Sequence, residues 1–142
     1  MTVQNFKNHT RYHAPFHFIS APLSLAGLIG SIVNLINSKP DNYYSASLLV
    51  VVFVLIFLIG SMVRTYALKA QDRAIRAEEN LRHYILTGKP FDIRLNIRQI
   101  IALRFASDEE LPSLAKKAAE ESLRSKEIKE QIKIWKEDSY RI

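Results

Sequence analysis

Two stretches without a single ionisable carboxylate, lysine or arginine decide what this chain can become. Residues 15–36 read PFHFISAPLSLAGLIGSIVNLI, and residues 43–63 read YYSASLLVVVFVLIFLIGSMV. A bilayer core roughly 30 Å thick asks for about 20 mainly apolar helical residues. Both stretches meet that length. The charge is confined elsewhere. Of the 20 basic and 14 acidic residues, only Lys7, Arg11, Lys39 and Asp41 precede Arg64, so 17 bases and 13 acids lie from Arg64 onward. The 48% hydrophobic content is therefore the mean of two unlike halves.

The reading is an all-α membrane protein built on a two-helix transmembrane hairpin. Residues 1–14 form a basic arm, 15–37 the first span, 38–42 a short turn and 43–64 the second span. Residues 65–142 form a helical tail, in which the second helix runs on and about three short helices follow. Two core helices of a soluble protein are the competing reading. It fails on size, because the charged remainder cannot bury so much hydrocarbon. The first span is not read as a cleavable leader, because the region before it is long and Asn37, Ser38, Lys39 and Pro40 follow it instead of a small-residue cleavage site.

The first span is the more polar, with Ser20, Ser24, Ser31, Asn34 and an internal Pro22. Tyr43, Tyr44 and Tyr66 flank the second, as interfacial aromatics do. Lys7 and Arg11 before the first span, and Arg64, Lys69, Arg73 and Arg76 after the second, place both termini on the cytoplasmic side. Small residues allow close helix approach. Ala26 with Gly30, and Gly27 with Ser31, are spaced four apart, and Gly60 sits in the second span. Contact within the hairpin and contact between copies both remain open.

No helix breaker occurs between Ser61 and Thr87, and Thr87-Gly88-Lys89-Pro90 reads as a helix stop. Leu68, Ile75, Leu81 and Ile85 form an imperfect apolar seam on this extension. Asn96 with Gln99 caps the first short helix. Ser107 with Glu110 is expected to form a capping box for the second, and Ser125 to cap a third with the stripe Ile128, Ile132 and Trp135. The second is expected to bury Leu111, Leu114, Ala115, Ala118 and Ala119. This apolar set is small and is expected to complete itself against the long helix, a second copy or the membrane.

Few chemistries survive. With no cysteine, disulfides and thiolate sites are excluded. His9, His13 and His17 are spaced for a metal or haem, but Pro15 interrupts a shared helix face, so interfacial histidines are the plainer reading. Glu78, Glu79 and His83 make a weaker metal candidate. Glu78 with Arg82 and Asp72 with Arg76 read as i,i+4 pairs on a solvated face. The helices around residue 106 resemble a helix-turn-helix, but Asp108, Glu109 and Glu110 would repel phosphate, so no nucleic acid is expected. There is no phosphate loop, nucleophile elbow or HExxH motif.

Residues 67–118, ALKAQDRAIRAEENLRHYILTGKPFDIRLNIRQIIALRFASDEELPSLAKKA, and residues 5–18, NFKNHTRYHAPFHF, resemble a family of small bacterial two-span membrane proteins with a domain of unknown function. The resemblance implies two spans and a cytoplasmic helical tail, and the bacterial inner membrane is the expected location. It brings no activity, cofactor or catalytic residue. It directs attention to two polar motifs: Gln71, Asp72, Arg73, Arg76 and Glu79, and Arg98, Gln99 and Arg104. The function expected is a non-enzymatic scaffold or accessory subunit, partnered by the lipid bilayer and by copies of itself or a larger membrane complex. The alternatives are an oligomeric channel lined by Ser20, Ser24, Ser31 and Asn34, and a metal- or haem-binding protein using the N-terminal histidines.

Overall fold

The computed structural model describes Asn5, Phe6 and residues 13–138. Among them are five α-helices and no strands: α1 (Ala21–Ile36), α2 (Tyr43–Thr87), α3 (Ile97–Leu103), α4 (Leu111–Glu120) and α5 (Ser125–Gln131). Two compact units divide α2 between them, one holding residues 13–67 and the other residues 68–138.

In the first unit a wide helical turn, Pro15–Ser20, leads into α1. It is closed by an i→i+5 bond from the Ala21 N–H to the Phe16 carbonyl. Pro22 has no N–H to donate, and Pro15 has none either, so the ordinary ladder is broken on both sides of this turn. At the far end of α1 the Asn37 amide donates to the Val33 carbonyl (2.8 Å) and the Ser38 hydroxyl to that of Asn34 (2.7 Å). The Val33 carbonyl also accepts the Asn37 N–H, and the Ser38 hydroxyl satisfies a carbonyl that a helix end otherwise leaves bare. Pro40 holds Lys39 extended, and the short turn Pro40–Asn42 starts α2.

The two helices meet through small residues. Ser31 and Ala46 are buried, and a Cβ placed on Gly27 would land in the Phe53 ring. Almost everything else faces outward. In the most apolar 18-residue window of each helix only 6% is buried, and both helices are long and apolar enough to cross a membrane. α2 continues without interruption for 45 residues, about 68 Å at 1.5 Å per residue.

The second unit closes its own core. Phe105, Leu103, Leu111 and Ile128 are fully buried, and Phe91, Leu95, Ile100 and the alanines of α4 complete the cluster. Leu111, Leu114, Ala115, Ala118 and Ala119 are all buried, as the apolar stripe of α4 predicts. The cluster is drawn entirely from residues 91–132. α2 lies against its edge, where the His83 ring packs on that of the cluster residue Phe91. Ile75 of the predicted α2 seam is buried, whereas Leu81 and Ile85 stand exposed.

Helix ends follow recognisable chemistry. Gly88 takes φ +72° just past α2 and donates to the Tyr84 carbonyl at 2.8 Å. Asn96 and Gln99 form the reciprocal capping box of α3, at 3.0 and 2.8 Å. α4 ends in a Schellman turn: Leu123 donates to Ala118, and Ser122 takes φ 52°. Three expectations are corrected. α4 begins only at Leu111, so Ser107 gives half a box, accepting from the Glu110 N–H at 3.3 Å. The Glu110 carboxylate turns instead to the backbone N–H groups of Lys133 and Ile134. Ser125 does not cap α5. Its hydroxyl donates to the Arg98 carbonyl, and the Glu127 carboxylate accepts from the Arg124 N–H at 2.7 Å. Trp135 lies beyond α5, which stops at Gln131, and bridges to Ala106 with its ring 4.9 Å from that of Phe105.

Candidate functional site

The most organised polar cluster among the described residues surrounds Arg82, near the end of α2, where it meets the α3–α4 corner. Its Nε and Nη2 both lie 2.6 Å from Asp108 Oδ1. Nη2 also donates to the Ala106 carbonyl at 2.7 Å, and Nη1 to Glu79 Oε2 at 2.9 Å and to the Arg104 carbonyl at 3.4 Å. A planar guanidinium presents five N–H groups in a fixed fork. Here the fork spans two carboxylates and two carbonyls that belong to different elements. Burial raises the Glu79 carboxyl above its ordinary value, against the opposing pull of the Arg82 bond and charge.

A second buried guanidinium flanks the first. Arg104 pairs with Asp138 at 3.2 Å and lies 4.6 Å from the centre of the Phe105 ring. Next to Arg82, the Asn80 side chain accepts the Phe91 N–H at 2.8 Å, and the His83 ring packs 4.4 Å from that of Phe91. Gln99 ties α3 to the end of α4 by donating to the Leu123 carbonyl at 2.9 Å. These are tie-points of a fold. Arg82 has its donors engaged by the protein itself, which leaves it poorly suited to gripping a small anion.

The polar motifs therefore split. Glu79, Gln99 and Arg104 are buried. Arg73, Arg76 and Arg98 are exposed, and Gln71 and Asp72 half-buried. Among the described residues no ion pair joins Asp72 to Arg76 or Glu78 to Arg82; Arg82 takes Glu79, three residues away, and Asp108 instead. Sequence reasoning missed Arg82 and Asp108 as a pair. The only local signal was the i,i+3 acid at Glu79, and nothing in the spacing points across 26 residues.

In the hairpin the small residues also divide. Gly27 and Ser31 face α2, while Ala26 is exposed and a Cβ on Gly30 would meet nothing within 4 Å. Gly60 lines a cleft between the helices with Phe16, Ser20 and Ser24. The hydroxyls of Ser20, Ser24 and Ser31 donate to carbonyls of their own turns, at 3.2, 3.0 and 2.8 Å. His13 and His17 share one helical turn through the bond from the His17 N–H to the His13 carbonyl. His9 lies outside the described residues. Among those residues no group of three His, Cys, Asp or Glu side chains converges as a metal site.

The elements together define an all-helical protein with two long apolar helices and a compact unit of short helices. The chain belongs to a family of unknown function, DUF6526, whose family model matches residues 1–142. No match to it is found among curated proteins or among solved structures.

Proposed function

We propose that this chain is an integral membrane protein whose two apolar helices span a bilayer and whose second unit is a non-enzymatic docking module for copies of itself or a larger membrane complex. The exposure of the hairpin carries the reading. Between Phe18 and Val63, 22 large apolar side chains are exposed, several above 60%. Complete burial of one such side chain is worth about 1.5–3 kcal/mol. Covering the exposed half of 22 of them is then worth roughly 20 kcal/mol, more than the roughly 5–15 kcal/mol by which a whole domain is stable. Hydrocarbon supplies that cover. The excess of Lys and Arg beyond both spans sets both termini on the cytoplasmic face, with residues 38–42 outside. The inner membrane of a bacterium is the location that goes with this orientation.

The scaffold role is supported by what the polar groups already do. The buried charges of the second unit are committed to one another, while Leu81, Tyr84 and Ile85 on α2 and Ile134 beyond α5 stand exposed. Washing membranes with alkaline carbonate and then urea is expected to leave the chain in the pellet. Single cysteines at Ser38 and Ser125, in a chain that has none of its own, are expected to label from opposite faces. Extraction in polymer-bounded native lipid is expected to give particles whose protein mass exceeds the 16.3 kDa of one chain. Release by urea overturns the membrane assignment. A lone 16.3 kDa chain in native lipid overturns the scaffold assignment.

A further inference from the structure

The open end of the hairpin holds a cleft with about 370 Å³ of empty space, counted out to its open side. Phe16, Ser20 and Ser24 line it from one helix, and Ile56, Gly60 and Ser61 from the other. Two sequence features make it. The wide turn Pro15–Ser20 displaces the start of the first helix from regular geometry, and Gly60 contributes no side chain. A Cβ on Gly60 would meet no atom within 4 Å, so the space there is real. The hydroxyls of Ser20, Ser24 and Ser61 are already donated to the carbonyls of Pro15, Ala21 and Phe57. The walls are therefore hydrocarbon and oxygen lone pairs, suited to an alkyl chain.

Arg64 stands at the rim. It lies four residues past Gly60, on the same face of α2, and its guanidinium carbon is 5.8 Å from the centre of the Phe16 ring that lines the cleft. From residue 13 to residue 67 the only carboxylate is Asp41, in the turn at the other end of the hairpin. An anion that matches Arg64 must therefore come from outside this unit.

We infer that the cleft is a binding site for one anionic glycerophospholipid, an acyl chain lying against Gly60 and the phosphate meeting Arg64. The inference rests on the membrane reading above. The chain is reconstituted in vesicles of equal phosphatidylglycerol and phosphatidylethanolamine, and retained lipid is read by native mass spectrometry after mild detergent release. The parent is expected to keep phosphatidylglycerol preferentially. Arg64→Gln is expected to lower that preference about fivefold, the contribution of one basic residue near an anionic surface, and Arg64→Lys to keep part of it. Gly60→Leu, which fills the cleft, is expected to lose retention of both lipids. Equal retention of the two lipids by the parent overturns the inference, as does Gly60→Leu holding phosphatidylglycerol like the parent. Arg64→Gln alters only the rim, so it carries the test if Gly60→Leu disorders the hairpin by circular dichroism. A urea wash of the same vesicles separates the two levels. Loss of the parent into the supernatant sinks the membrane reading, whereas an embedded but unselective parent sinks only the lipid site.

Discussion

Replacing Arg82 by methionine tests whether the α2 clamp holds the second unit together. The Arg82 and Glu79 side chains are each only 12% exposed, while Asp108 is 64% exposed. The bond to Glu79 is therefore the costly one to lose, about 1.5–3 kcal/mol for a charge-assisted contact. The contact with Asp108 is largely screened and adds little. The Ala106 carbonyl, 2.7 Å away, loses a donor worth about 1 kcal/mol. The total of about 3 kcal/mol sits at the low end of the 3–5 kcal/mol seen when one partner of a buried pair is removed. For a unit of this size, roughly 4–8 °C per kcal/mol puts the fall in Tm at roughly 12–24 °C. Trp135 is the only tryptophan and packs on Phe105, so its fluorescence in the detergent-solubilised full chain reports this unit directly. The loss should shrink in acid, where the abandoned Glu79 takes up a proton instead of remaining a buried anion. A drop no larger than that of Asp108→Asn, with no pH dependence, refutes the clamp.

Five further outcomes are expected. Gly27→Leu drives a side chain into Phe53, so the cross-linking yield between Ser24→Cys and Ser61→Cys should fall sharply, whereas Gly30→Leu, with open space around it, should leave the yield intact. Ser122 occupies the left-handed region at the Schellman turn, so Ser122→Gly should raise Tm by a few degrees, about 0.5–1 kcal/mol. Gly88→Ala, at φ +72°, should lower it by about 1 kcal/mol, measured in the same thermal scan. Glu79 binds its proton more tightly when folded than when unfolded. Its contribution to stability is therefore fully present below the unfolded value near 4.5 and is lost as pH rises through the folded value; Glu79→Gln should flatten that slope. Asp92 has the opposite sign. The side-chain bond from Arg94, reinforced by the backbone N–H, holds its carboxyl down to about 2, so the support it gives is present above 3.8 and fades toward pH 2.

What could be read before any coordinates was the chemistry that acts over one turn of helix. The stop at Gly88, the Asn96–Gln99 box and the buried stripe of α4 depend on neighbours within four residues, and all are found. Ser107 and Ser125 show where such reading stops. Both carry a capping signature, yet one meets a helix that starts later and the other donates to Arg98 across 27 residues. Glu110 likewise left its local role for the backbone of residues 133 and 134. The Arg82–Asp108 pair could not be found, because an arginine among alternating charges looks the same whether water or a folded corner surrounds it. The asymmetry of the small pairs was equally hidden. Gly27–Ser31 and Ala26–Gly30 have identical spacing, and only the position of Phe53 decides which pair faces inward.

The serines of the hairpin bond within their own helices: Ser24 to Ala21, Ser31 to Leu28, Ser47 to Tyr44 and Ser61 to Phe57. None of these hydroxyls stitches one helix to the other. Where Gly27 meets Phe53, the joint is a fit of contours, sustained by many weak dispersion contacts. Such a seam has no directional lock, and one helix can roll against its neighbour without breaking a hydrogen bond at these serines.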